Sequence, residues 1–418
     1  MKHHGFDHFT RDVVTSKGRM FGIAALSLFG VSPASFAADW EVLPEIAVGA
    51  YVNDNYTLAP DNVDPVEVEG AQIRAELGLQ STTELTEFSL RPAIESTIFP
   101  NDEEWESNDY YLRLDWKHER QRFLAGLRAD YSDETTVKSE LPASQDDGGL
   151  GDPDGGDDGI VSVDNKRRKV QVRPRVSFEL TERSTLLADI GYTDADFDQE
   201  SATGTTGYQN ISGALGFAFA TSPTSTLSAR AIASNYERNI DSVETDSLGV
   251  QLDWTSRLSD SAQWYVRVGA KEVDVPPELQ GTTGSDSETG FEGGIGADWT
   301  FEVTHLFVDA TASVEPNASG RIIQREQLRL RLLRQFGPRT NGWVGARYQR
   351  DRALADDIPG FRDRDYAIGT LGFEWRMTRD FSLVGQYDAR WQEFEDNPSD
   401  ASGNAFQLSV VYQWRRPE

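Results

Sequence analysis

The sequence predicts an all-β chain: a transmembrane, antiparallel, up-and-down β-barrel of about eighteen strands. Three regularities predict it. Apolar and polar residues alternate with a period of two in segment after segment, short and long connections alternate between segments, and aromatic residues gather at the segment ends.

The alternation is plainest in "KVQVRPRVSFEL", residues 169–180. Lys169, Gln171, Arg173, Arg175, Ser177 and Glu179 fall on one parity; Val170, Val172, Pro174, Val176, Phe178 and Leu180 fall on the other. Successive side chains of a strand point to opposite faces, so one face is apolar and the other carries cations into water. A soluble sandwich shows the same pattern, and the rest of the chain has to decide between the two.

In chain order, eighteen such segments centre near Val48, Ala75, Ala93, Arg113, Leu127, Val172, Asp189, Leu215, Ala231, Val250, Val268, Ile295, Ala310, Arg329, Ala346, Leu371, Gly385 and Val410. Tight connections include "KHERQ" at Lys117, "TERS" at Thr181, "ATSPTS" at Ala220, "TFEVTH" at Thr300, "QFGPRT" at Gln335 and "RMTRD" at Arg376. Between them come long acidic ones: "DNYTLAPDNVDPVEVEG", "NDEEWES", the run 132–163, "DADFDQESATGTTG", "VDVPPELQGTTGSDSE", "RALADDIPGFRDRD" and "EFEDNPSDASGN". Outer-membrane barrels have tight periplasmic turns and long extracellular loops. An even strand number places both termini at the tight-turn end. Sixteen strands is the alternative, if the first hairpin with its linker at 56–70 stands outside the wall.

The apolar parity reads Tyr110, Leu112, Leu114 and Trp116 on the fourth segment, and Leu248, Val250, Leu252 and Trp254 on the tenth. It reads Leu306, Val308, Ala310, Ala312 and Val314 on the thirteenth, and Phe406, Leu408, Val410, Tyr412 and Trp414 on the last. Trp116, Trp254, Trp264, Trp299, Trp375 and Trp414 sit beside tight turns; Tyr110, Tyr131, Tyr192 and Tyr348 sit beside long loops. Two girdles at two water interfaces give that distribution, because these rings are amphipathic. A sandwich would bury them centrally.

Composition fits. The chain has 418 residues, a net charge of −29 and no cysteine, which excludes disulfides and thiolate metal sites and suits passage through an oxidising compartment. No apolar run of about 20 residues follows the N-terminus, so no helical span is expected. Residues 1–37 read as an export signal: Lys17 and Arg19 precede "MFGIAALSLFGVSPASFA", with Ser35 and Ala37 as the small residues before the cleavage point. Its loss removes Lys2, Arg11, Lys17 and Arg19 with Asp7 and Asp12, taking the charge from −29 to −31. Residues 38–418 then form one barrel domain. A surface this acidic makes nucleic acid an unsuitable partner. The expected location is the bacterial outer membrane, with its lipid and lipopolysaccharide as neighbours.

The polar parity supplies the candidate pore lining: Arg113, Arg128, Lys169, Arg173, Arg175, Arg267, Arg325, Arg329, Arg331 and Arg347, with Tyr111 and Tyr265. Acids on adjacent strands pair with many of these, which is ordinary wall bracing. Two clusters exceed the acids on their own strand: Lys169, Arg173 and Arg175, and Arg325, Arg329 and Arg331. Fixed guanidinium inside a pore favours anions, unless acidic loops fold inward and cancel it. The two tyrosines either stack on sugars or pack on the wall.

The acidic stretch "DDGGLGDPDGGDDG", 146–159, has linker composition and lacks the ligand spacing of a calcium loop, so no metal or cofactor is expected; weak divalent bridging to lipopolysaccharide is the most it offers. After the signal, only His118 and His305 remain. Both are in or beside tight turns, read as away from the lumen and from any matching serine, so no enzyme is expected.

The stretch "DNKRRKVQVRPRVSFELTERSTLLADIGYTDADFD", the opening "EVLPEIAVGAYVNDNYTLAP" and the last strand "AFQLSVVYQWRR" resemble the outer-membrane β-barrel family called β-barrel porin 2. The family's motifs are diffuse, and the likeness runs over nearly the whole mature chain. Its members are often associated with exopolysaccharide synthesis and secretion, some with exosortase sorting machinery. The resemblance implies an integral outer-membrane barrel, with polysaccharide passage and a periplasmic export partner for some members. It implies no catalytic residues. The expected function is a conduit exporting an anionic or neutral exopolysaccharide, with Arg173, Arg175, Arg329, Arg331 and Arg347 touching carboxylates or hydroxyls. A passive porin and a plugged surface-interaction barrel are the alternatives.

Overall fold

The computed structural model describes residues 39–141, 161, 165–199, 205–240, 243–275, 286–317, 321–354, 363–395 and 399–414. The export segment and the acidic stretch 146–159 lie outside the described residues. The strands are β1 Asp39–Asn53, β2 Val68–Thr82, β3 Thr86–Ile98, β4 Ser107–Arg120, β5 Phe123–Thr135, β6 Lys166–Thr181, β7 Ser184–Phe197, β8 Tyr208–Ser222 and β9 Ser225–Arg238. They continue as β10 Glu244–Ser259, β11 Ala262–Val275, β12 Asp286–Thr300, β13 Thr304–Asn317, β14 Arg321–Gly337, β15 Thr340–Ala353, β16 Arg364–Arg376, β17 Phe381–Phe394 and β18 Ala401–Gln413. Each segment centre read from the sequence falls inside one of them.

Every strand pairs antiparallel with the next, and β1 also pairs with β18 from Glu45↔Gln413 to Asn53↔Ala405, which closes the barrel. The first hairpin belongs to the wall, since β1 pairs with β2 from Asp39↔Thr82 to Asn53↔Val68. Eighteen strands, not sixteen, therefore form the barrel. Closure removes both sheet edges, the condition for putting strands in lipid.

Apolar side chains face outward. Leu215, Leu248 and Val250 are 67%, 65% and 64% exposed, values that only a surrounding apolar solvent makes tolerable. Trp254 and Trp264 pack edge to face at 5.0 Å at the tight-turn end, as do Trp40 and Phe88 at 5.9 Å. Proline marks the places where the ladder thins. Bridges skip from Glu76↔Ala93 to Leu79↔Leu90 beside Pro92, and from Val172↔Tyr192 to Arg175↔Asp189 beside Pro174. Proline has no N–H to give to a ladder.

One seam breaks the regularity. β12 pairs with β13 only up to Gly293↔Ala312, while β13 continues beside β14 to Asn317↔Arg321. The end of β13 carries Pro316, which lacks a donor, and has no partner on its β12 side. Val314 is buried with Val273, and its carbonyl accepts from Lys271 Nζ at 3.2 Å. This corrects the reading of Val314 as lipid-facing: the parity is right, but β13 has parted from β12 here while staying paired with β14, and the side chain packs on Val273. Gln324 of β14 bridges the gap, accepting from the Phe291 N–H at 3.0 Å and donating to the Phe291 carbonyl at 2.9 Å. Gln324→Leu removes both bonds at an unpaired backbone position. A loss of about 1–3 kcal/mol is expected, read as a lower unfolding temperature and faster exchange of the Phe291 amide.

Candidate functional site

All twelve candidate residues lie on the strand parity opposite to the exposed apolar side chains, at different levels of the barrel. Near the long-loop end, described segments of the connections pack against lumen-facing side chains. The segment joining β1 to β2 turns inward under the control of Asn55, whose side chain accepts from the Ala59 N–H at 2.8 Å and donates to the carbonyls of Ala59 and Ser402 at 2.9 Å. Leu58, in that segment, holds a left-handed backbone, φ 52°, yet is 2% exposed. The conformation costs about 1–2 kcal/mol; burying the leucine offsets it with roughly 1.5–3 kcal/mol.

Tyr56 stands at the centre of the resulting cluster, edge to face with Phe99 at 5.3 Å and with Trp105 at 5.7 Å. Burial raises its hydroxyl pKa well above the ordinary tyrosine value, keeping it neutral. Leu58, Val68, Val137, Leu141, Tyr366, Ile368 and Ala401 complete the cluster. Tyr366 and Ile368 come from β16, across the lumen from the loop residues they touch.

A short helix, α1 Thr136–Glu140, anchors this plug. It begins where β5 bends inward, at Thr135, whose N–H donates to Asp109 Oδ1 at 3.0 Å. Lys138 then reaches two lumen-facing acids, Glu95 of β3 and Asp109 of β4, each at 2.5 Å. Burial alone would lower the lysine's pKa; Glu95 and Asp109 together raise it above the ordinary value, so the ammonium stays charged. Arg167 of β6 holds Glu134 at 3.1 Å and Glu140 at 3.7 Å, and Arg364 of β16 donates to the Glu140 carbonyl at 3.1 Å while lying over the Tyr366 ring. Glu95, Asp109, Glu134, Glu140, Arg167 and Arg364 are all buried. Ionic groups from opposite walls thus grip one helix.

Arg113, Lys169, Arg325, Arg347 and Tyr111 are buried in this upper half. Arg113 bonds Asp130 at 2.6 Å, and Arg325 bonds Asp351 at 2.6 Å and Glu315 at 2.5 Å. Lower down, Arg329 grips Asp309 with two bonds of 2.9 and 2.6 Å, and Arg267 holds Asp253 at 2.7 Å. Tyr265 lies flat on the wall. A Cβ on Gly296 would sit 2.3 Å from its ring, and its hydroxyl donates to Asp309 at 3.3 Å. The ring thus packs over a glycine of the neighbouring strand.

Towards the tight turns the lumen opens. A cavity of about 710 Å³ is lined there by lumen-facing Glu87, Asp115, Lys117, Arg128, Arg173, Arg175, Asp189 and Ser212. Arg128, Arg173 and Arg175 are therefore brought together. Arg331, half-buried, stands on another part of the wall. His305 also faces the lumen at this mouth, hydrogen-bonded to Asp298 at 2.8 Å, which corrects its reading as away from the lumen. His118 faces outward, stacked on Trp116.

Sequence reasoning missed Lys138, Glu140, Asp109 and Arg364 as a functional group. The available signal was Trp105 in "NDEEWES" and Tyr56 in "DNYTLAP": bulky rings in acidic loops need a place to bury.

No family model matches this sequence, and no curated protein does. Among solved structures, the chain is similar to the outer membrane protein opdK from Pseudomonas aeruginosa, at 10% identity over 90% of this chain and 99% of that chain, TM-score 0.45. It is similar to OccK5 (OpdH) of Pseudomonas aeruginosa, at 11% identity over 90% and 99%, TM-score 0.46. It is also similar to the outer membrane channel DcaP of Acinetobacter baumannii, at 13% identity over 90% and 97%, TM-score 0.42. The likeness is one of architecture alone.

Proposed function

We propose that this protein is an outer-membrane channel with a preference for anions, closed towards the outside by its inward-folded loops and serving the export of an anionic exopolysaccharide. The observation that carries the anion preference is a set of directly opposed arginines on the lumen face: Arg91↔Arg113, Arg128↔Arg173 and Arg329↔Arg347. Like charges opposite each other on a sheet are destabilising. Fixed carboxylates offset part of that repulsion, Asp130 at Arg113, Asp115 at Arg128 and Asp309 at Arg329, and the doubled cations still concentrate positive charge on the lumen face, which favours a mobile anion. The resemblance to exopolysaccharide-associated barrels supports the polymer as cargo, and eighteen strands are enough for an aqueous passage once the plug moves.

A passive route for small solutes is the second reading, favoured by the narrowing at α1, which suits small solutes better than a polymer. A deletion strain separates the two. Surface polysaccharide is expected to fall to near background without this chain, with uptake of small nutrients unchanged. Intact polymer secretion together with slowed solute uptake establishes the porin instead.

A further inference from the structure

We propose that the lumen chamber at the tight-turn end is a docking site for a carboxylate-bearing saccharide chain, formed by Arg173 and Arg175 of β6 with Arg128 opposite. The inference rests on the channel reading above and adds to it a place, a side of entry and a ligand class.

Pairing in the chamber leaves one cation over. Arg128 is 3.3 Å from Asp115 and 3.6 Å from Asp130. Lys117 is 3.0 Å from Glu119 and 3.9 Å from Glu87. Asp189 lies opposite Arg175 in register, yet its ion pair, at 3.6 Å, is with Arg230. Among the described residues the Arg175 side chain makes no ion pair or hydrogen bond, and it is exposed to the chamber. Its position is built. Gly126 is its partner across β5, and a Cβ there would stand 2.7 Å from Arg175 Nε, so a glycine gives the guanidinium its berth.

Arg173 is two residues away on the same face, roughly 7 Å along the strand. It stands opposite Arg128. Arg173 already donates to Gln171 at 3.4 Å, so Arg175 is the primary donor and Arg173 adds positive charge one carboxylate spacing further along the chain. Neutral groups around them, Gln80, Ser89 and Ser212, suit hydroxyls. The acids of the chamber each have a cation partner, so they oppose a polyanion less than their number suggests. Because α1 and the β1–β2 segment narrow the long-loop half, the ligand enters from the tight-turn side, which is the periplasmic side of such barrels.

The test is isothermal titration of the purified full barrel in detergent, which needs no open pore. The probes are oligogalacturonate and a neutral maltooligosaccharide of equal length. Expected is binding of the acidic oligomer alone, weakened about tenfold or more by Arg175→Gln and further by Arg173→Gln added to it. Gly126→Ala, which pushes Arg175 aside and removes no charge, weakens it too. Arg376→Gln, a cation change at the mouth of another wall sector, leaves it intact. Equal affinity in the double variant, or equal binding of the neutral oligomer, overturns the site. Bilayer reversal potentials on the same protein keep the two proposals apart. A selective pore that binds no oligogalacturonate overturns only the docking site, whereas a non-selective pore whose binding follows Arg175 overturns only the anion-channel reading.

Discussion

Lys138→Met is expected to raise the conductance of the barrel. The substitution keeps the length and apolar stem of the side chain and removes the ammonium, leaving Glu95 and Asp109 buried without their shared cation. Removing one partner of a buried ion pair costs about 3–5 kcal/mol. If that cost falls on the docked state of α1, the docked-to-undocked ratio drops by a factor on the order of 10²–10⁴. The expected record in a planar bilayer is rare openings for the parent chain and long, large-conductance openings for the variant. The wall should survive, because neither acid belongs to the plug: both sit on β3 and β4, where undocking lets water reach them. Unaltered far-ultraviolet circular dichroism, with a folded band in the gel, checks that. A folded variant with the parent's conductance would remove α1 as the closure.

Proton linkage for the same lysine has a definite sign. Its folded-state pKa lies above the ordinary 10.5, so its stabilisation is fully present below that value and is lost only as pH rises through the raised one. Mild alkalinity therefore does not open the plug through Lys138. The apolar half of the closure carries no charge at neutral pH, and Trp105→Ala should loosen it there, since the ring packs on Tyr56.

What the sequence made legible follows from where its information lies. Period-2 alternation is a local property, so the eighteen centres and the lumen parity of residues such as Arg173 and Arg325 could be read directly. The plug could not. Its contacts join residues far apart in the chain, as when Arg364 meets Glu140 or Asn55 meets Ser402, and neither partner carries a pattern that names the other. Val314 shows a subtler limit. Alternation fixes which way a side chain points from its strand but not whether the strand keeps both neighbours, and at Val314 β13 has parted from β12, with Gln324 bridging the gap. The same limit governs the arginines. Parity places Arg113, Arg329 and Arg175 on one face; only the register shows that the first two have carboxylates bound to them.

That difference divides the charge reversals. Arg173→Glu with Arg175→Glu should move the reversal potential from the anion side to the cation side, because four charges change within the exposed chamber and Arg175 gives up no internal bond. The fold should tolerate it, since both side chains are exposed. Arg329→Glu should do something else. Asp309 is 2% exposed and accepts both bonds from Arg329, so the reversal sets two carboxylates against each other where water cannot relieve them. A cost of about 3–5 kcal/mol is expected, and the result should be poor assembly rather than altered selectivity. Selectivity measured on the double variant against assembly yield measured on Arg329→Glu thus separates cations that meet the solute from cations that hold the wall. If both reversals shift selectivity equally and assemble equally well, the constriction lies at β14, and the chamber beside β6 is only its antechamber.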